Sequence, residues 1–198
     1  MKILFLGGNL SKALVDWLET QGEIVIYTTE KITLDYVKKI GSKFMVSYNY
    51  KYLIQEEIID YVHAKVINLH ISFLPYSRGA YPNIWSFLED TPKGVTIHYV
   101  DEKIDTGDII VQKQIFMDEN NETLKSYYEI LHREIQKLFK KNWSKIKKSE
   151  IAPFPQIGKG TFHIKNDFSK FEPFIKEKGW NTTIMELKEQ YSKHFIAT

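Results

Sequence analysis

Asn68 and His70, an amide and an imidazole two residues apart in the run "AKVINLHI", are the pair in this sequence best suited to acid-base chemistry. On an extended backbone, side chains two apart point to one face, so a strand would aim both at the same place. A third polar group, Asp105, falls in "VDEKIDTGDII", an acidic, glycine-containing turn between two expected strands. A carboxylate near His70 would fix its tautomer and raise its basicity, while the amide of Asn68 could donate to an oxyanion. That set makes a transfer site without a metal or a thiol. The chain has no cysteine, which removes disulfides, thiolate nucleophiles and cysteine metal sites together. One imidazole and one carboxylate are fewer ligands than a catalytic zinc site takes, so no metal is expected.

The elements that must position these groups follow from periodicity. "KILFLGGNLSKALVDWLE" reads as a buried-type strand, a glycine turn and a helix with Leu14, Trp17 and Leu18 on one stripe. "EIVIYTT" is a strand, "LDYVKKIG" a short helix closed by Gly41, "KFMVSYNY" a strand and "LIQEEIIDYV" a helix. The "AKVINLHI" strand comes next, then "PNIWSFLED" as a helix with Pro82 in its first turn, and "GVTIHYVD" as another strand. Strands alternating with helices predict an α/β fold, Rossmann-like and doubly wound, around a mostly parallel sheet. Leu124, Tyr127, Tyr128, Leu131, Ile135, Leu138 and Phe139 keep helical spacing and predict one long amphipathic helix. Its lysines, from Lys137 to Lys148, are read as a solvated face suited to the helix dipole rather than as a nucleic-acid patch. Beyond Pro153 and Pro155 the composition shifts, with a last helix from Thr183 to His194. We therefore expect a catalytic domain over residues 1–150 and a short C-terminal extension over 151–198, too small for a core of its own.

In open α/β sheets, ligands bind beyond the carboxyl ends of the strands, where Asn68 and His70 should sit. The glycine pair in "FLGGNLSK" occupies the place of a phosphate turn, but it lacks the third glycine and the acidic residue of a dinucleotide fingerprint. Asn9, Ser11 and Lys12 could still hold a phosphate there, and Arg78 is a further phosphate candidate. Tyr81 and Trp85 offer flat apolar surface for a sugar or base, with Asn83 as an adaptable partner; packing of Trp85 onto the sheet is the competing reading. His98 is expected to be a structural strand residue, and His63, His132 and His194 receive no role.

The 198 residues carry a net charge of +2, with 27 basic against 25 acidic side chains, 43% hydrophobic and 26% charged. Such a balanced chain fits an ordinary globular protein and does not by itself point to a nucleic-acid or membrane partner. No apolar run reaches the length of a signal-peptide core or a membrane span, so a cytoplasmic location is expected.

"NLHISFLP", "RGAYPNIW" and "DTGDI", in this order, resemble the formyltransferase family that uses 10-formyltetrahydrofolate. Its members include glycinamide ribonucleotide transformylase, methionyl-tRNA formyltransferase and the nucleotide-sugar N-formyltransferases, and the resemblance covers residues 1–150. It implies that Asn68 hydrogen-bonds the formyl oxygen, that His70 takes a proton from the attacking amine or from the tetrahedral intermediate, and that Asp105 orients His70 and a proton-relaying water. It also implies that Ser47, Tyr48 and Leu53 line a folate pocket and that the loop from Asp101 to Asp105, with Ile104, closes over the pterin. Ile71 stands where the family has proline, which loosens the backbone after His70 but removes no reacting atom. "LPYSRGAYPNIW" looks most like the nucleotide-sugar enzymes, as does the tail segment "GKGTFHIKND", whose His163 and Asp167 would have a substrate or packing role. The expected acceptor is therefore a nucleotide-linked amino sugar, and self-pairing as a homodimer is left open. The alternatives are glycinamide ribonucleotide, or a nucleotide-binding domain that kept the fold without the reaction. A tRNA acceptor is disfavoured, since the tRNA enzymes carry a further C-terminal domain for which the residues after 150 leave no room.

Overall fold

The computed structural model describes residues 1–63 and 65–195; Ala64, first residue of the expected "AKVINLHI" strand, lies outside them. The chain alternates as the periodicity requires. Strand β1 (Lys2–Gly7) leads to helix α1 (Lys12–Thr20), β2 (Ile24–Thr28) to α2 (Leu34–Ile40), and β3 (Met45–Tyr48) to α3 (Glu56–Tyr61). Strand β4 (Val66–His70), a two-residue β5 (Arg78–Gly79), α4 (Pro82–Leu88), β6 (Gly94–Tyr99) and β7 (Ile109–Gln114) follow. Helix α5 (Leu124–Lys147), the short β8 (Phe162–His163), α6 (Glu172–Ile175) and α7 (Ile184–Phe195) complete the order. The main sheet runs β2-β1-β3-β4-β6-β7, and β1 pairs in parallel with both β2 and β3, as β3 does with β4. With β1 between its two successors, the chain winds outward in both directions, which is the doubly wound topology expected.

Two compact units divide the chain, each assembled from separated segments. The first comprises Met1–His70, Ile97–Val111 and Asn142–Gln156. Its core packs Leu4, Leu6 and Met45 of the sheet with Val37 of α2 and Ile58, Ile59 and Val62 from α3 and its end. Local signals explain the elements. The Thr33 hydroxyl accepts from the Tyr36 amide to start α2, and Gly41, at φ 68°, ends it in the left-handed region that favours glycine. Glu23 is a buried carboxylate in this unit, and it accepts from Lys147 Nζ at 2.7 Å, from Trp143 Nε1 at 3.2 Å and from the amino group of Met1. Burial alone would raise its pKa; the three donors outweigh that and hold it below the ordinary carboxylate range. Lys147 thus departs from the solvated face expected of the lysines near the end of α5.

The second unit comprises Ile71–Thr96, Gln112–Lys141 and Ile157–Thr198. The expected C-terminal extension is therefore divided: residues up to Gln156 belong to the first unit and those from Ile157 to the second. Phe168, Phe171, Ile175 and Leu187 pack with Ile84 and Trp85 of α4 and Leu124 of α5 in one cluster. Among the described residues, no helix is long and apolar enough to cross a membrane.

Candidate active site

Strand β4 buries Val66, Ile67 and Leu69 and ends at His70, so the alternation of its side chains sets Asn68 and His70 side by side. The β3 register places Ser47 directly beside Asn68. Asp105 comes to the same place from the loop between β6 and β7. Its Oδ1 accepts from Asn68 Nδ2 at 3.2 Å, while its Oδ2 lies 3.7 Å from His70 Nδ1. Each carboxylate oxygen thus faces one of the two groups that the sequence singled out. The side chains are sheltered, with 8% of His70 and 12% of Asp105 exposed. In such a place, charge interactions act with less screening by water than at the surface. With Nδ1 turned to the carboxylate, a proton exchanged with a substrate would pass through Nε2.

His98, read from the sequence as a structural strand residue, also borders this cluster. It is wholly buried in β6, its Nδ1 lies 2.7 Å from the Tyr99 carbonyl, and its Nε2 lies 3.3 Å from Asn68 Nδ2 and 3.5 Å from Asp105 Oδ1. A carbonyl only accepts, so Nδ1 carries the hydrogen and Nε2 accepts from the amide. The two hydrogens of Asn68 Nδ2 are then directed at Asp105 and His98, which fixes the amide's orientation. His70 and His98 also meet edge to face, 6.2 Å apart.

The loop carrying Asp105 is shaped by its own residues. Asp101 accepts from Thr106 Oγ1 at 2.7 and 2.9 Å and from the Lys103 amide at 3.2 Å. Asp105 sits at φ 55°, a conformation that aspartate tolerates better than most side chains. Gly107 is required sterically, because a Cβ there would stand 2.0 Å from the Tyr99 carbonyl oxygen.

The other expected residues fall into distinct places. Ile104 at 38% and Leu53 at 66% are exposed hydrophobic side chains, whereas Ser47 is buried and Tyr48 wholly so. In the turn after β1, Ser11 Oγ accepts from the Gly8 amide at 3.1 Å and donates to the Tyr48 carbonyl at 3.0 Å. Its hydroxyl holds the turn together rather than facing a phosphate. A Cβ on Gly7 would meet Ser11 and one on Gly8 the Asn49 carbonyl, so close packing alone accounts for the glycine pair. Asn9 and Lys12 are exposed, and Lys12 pairs with Asp16.

In the second unit, Arg78 lies in β5 beside Phe162 of β8. The flat surface expected from Tyr81 and Trp85 is covered by the chain's own rings. Trp85 is stacked on His163 at 3.6 Å and meets Phe171 edge-on, and Tyr81 packs against Phe168. Asn83 is buried. His163 in turn lies 2.7 Å from Glu89 through Nε2, and Asp167 accepts from the Ile164 amide at 2.9 Å, which gives the tail motif a packing role.

Comparison with known proteins shows the family. Residues 27–142 match the family model described as Formyl transferase. A methionyl-tRNA formyltransferase from Thermodesulfovibrio yellowstonii is 30% identical over 190 residues, covering 91% of this chain and 58% of that protein. A dTDP-4-amino-4,6-dideoxyglucose formyltransferase from Mycobacterium bovis is 26% identical, covering 68% and 57%. The chain spans about half the length of the curated relatives it matches. Among solved structures, the formyltransferase PseJ from Anoxybacillus kamchatkensis superposes with a TM-score of 0.88 at 41% identity, over 94% of this chain and 97% of that one. It was solved with UDP-4,6-dideoxy-4-formamido-L-AltNAc and tetrahydrofolate. With more than half its length matching the family model, the chain belongs to the formyl transferase family.

Proposed function

We propose that this protein transfers the formyl group of 10-formyltetrahydrofolate to the amine of a nucleotide-linked amino sugar. The observation that carries this reading is the likeness to PseJ along nearly the whole of both chains, a protein seen with a UDP-linked formamido sugar and tetrahydrofolate. The site chemistry supports it. An amide, an imidazole and a carboxylate suit acyl transfer between two nitrogens, and the donor supplies an activated formyl carbon.

Attack by the amine forms a C–N bond and puts negative charge on the formyl oxygen. Asn68 is the donor placed for that oxygen, and to serve it one amide hydrogen must leave Asp105 or His98. His70 Nε2 takes the proton released by the attacking nitrogen, and the resulting imidazolium is stabilised by Asp105 across 3.7 Å. Breaking the bond to the donor nitrogen, with a proton delivered to it, yields the formamide and tetrahydrofolate. A small-molecule acceptor, with no nucleic-acid or membrane partner, is also consistent with the near-neutral charge, and a cytoplasmic site of action fits such soluble substrates.

Thermal unfolding with a folate analogue and a panel of dTDP-, UDP- and GDP-linked amino sugars tests the acceptor class. A ligand at a hundred times its Kd should stabilise the protein by about 2.7 kcal/mol. A shift with glycinamide ribonucleotide or methionyl-tRNA, and with no nucleotide sugar, would overturn the proposal.

A further inference from the structure

We infer that Gln156 is a positioning residue for the Asp105 carboxylate; the inference rests on the formyl-transfer reading of the site. Its side-chain Nε2 donates to the carbonyl oxygens of both Asp105 and Gly107, each at 2.9 Å. One amide nitrogen has two hydrogens, so a single side chain closes both ends of the turn that bears the carboxylate. That turn needs an outside hold. Asp105 occupies the left-handed region at φ 55°, and Thr106 and Lys103 bond to Asp101 within the loop rather than to the sheet.

Gln156 is itself firmly placed. Two residues earlier, Phe154 forms an isolated antiparallel bridge with Ile109, the first residue of β7, through paired backbone bonds of 2.8 and 2.9 Å. Pro153 and Pro155 flank that bridge and restrict the backbone on either side. The bridge therefore fixes the tail to the strand that follows the loop, and Gln156 reaches back from it to the loop. Displacing a catalytic group by about 1 Å can cost about a hundredfold in rate, so a residue that touches no substrate can still govern turnover.

Gln156→Glu tests this, because it keeps the shape, removes both N–H groups and sets a carboxylate oxygen against the two carbonyls. Amide hydrogen exchange over residues 101–108 should speed by about tenfold, with β4 unchanged, and this reading needs no substrate. The kcat for formyl transfer should fall by about thirtyfold while KM for the acceptor stays within about threefold. Added to Asp105→Asn, the change should bring no further loss, since both then act through one carboxylate. Gln156→Leu, which also lacks the donors, should behave alike and serves if the Glu variant does not fold. Unchanged exchange, a kcat within about threefold of the parent, or losses that multiply in the double variant would each overturn the inference. A parent enzyme that formylates no nucleotide-linked sugar would instead defeat the functional reading, with the exchange result still deciding whether Gln156 holds the loop.

Discussion

His70 faces a carboxylate through Nδ1, and Asn68, beside it, has both amide hydrogens engaged within the site. His70→Ala and Asn68→Ala should each lower kcat by about a hundredfold to a thousandfold, with the folate analogue still bound, since both act mainly on the transition state. Steady-state rates within about threefold of the parent would remove them from the chemistry. These residues were legible because a strand's period of two puts Asn68 and His70 on one face whatever the rest of the fold does. His98 was not, because β6 is buried from Gly94 to His98 and an unbroken buried run gives no sign of which face is which. For Trp85 the sequence left two readings open, a ligand platform and a packed side chain. Its aromatic face suggested a ligand platform, but the ring that covers it, His163, comes from a tail whose path no periodicity records.

At the scale of elements, the alternating strands and helices could be read from apolar runs and from the punctuation of Gly41 and Pro82. The two-residue ladder of β5 with β8 could not, since it holds only Arg78, Gly79, Phe162 and His163 and has no repeat to detect. Nor could the anchoring of Lys147 and Trp143 on Glu23, which joins the end of α5 to the turn before β2. Glu23 has a lowered pKa, so its contribution is present above the ordinary carboxylate range and is lost as acid protonates it in the fold. Glu23→Ala leaves the Lys147 ammonium and the Trp143 N–H without this acceptor and should cost about 3 kcal/mol, measured by denaturant unfolding at neutral pH. A cost below about 0.5 kcal/mol would mean that the cluster is only a surface pair.

At the scale of the whole molecule, two groups on α5 should each add an acid-sensitive window. Burial pushes His132 down to about 4 from 6.5, so the unfolded chain takes up the proton first and stability falls as pH drops from 6.5 towards 4. Bonds from Lys113 and Lys137 hold Glu134 at about 2, so its contribution is lost between 4.5 and 2. His132→Leu should flatten the upper window, whose slope is at most about 1.4 kcal/mol per pH unit, and leave the lower one; an unchanged slope would show that His132 titrates as if exposed. The same whole molecule bears the central claim, which is the identity of the acceptor. The most direct measurement supplies 10-formyltetrahydrofolate with each of a dTDP-, a UDP- and a GDP-linked amino sugar, glycinamide ribonucleotide and methionyl-tRNA in separate reactions, and follows tetrahydrofolate release together with the mass of the acceptor. Turnover of at least one nucleotide-linked amino sugar, reduced about a hundredfold or more by His70→Ala, is the expected result. Efficient formylation of glycinamide ribonucleotide or methionyl-tRNA, with none on any nucleotide sugar, would contradict it.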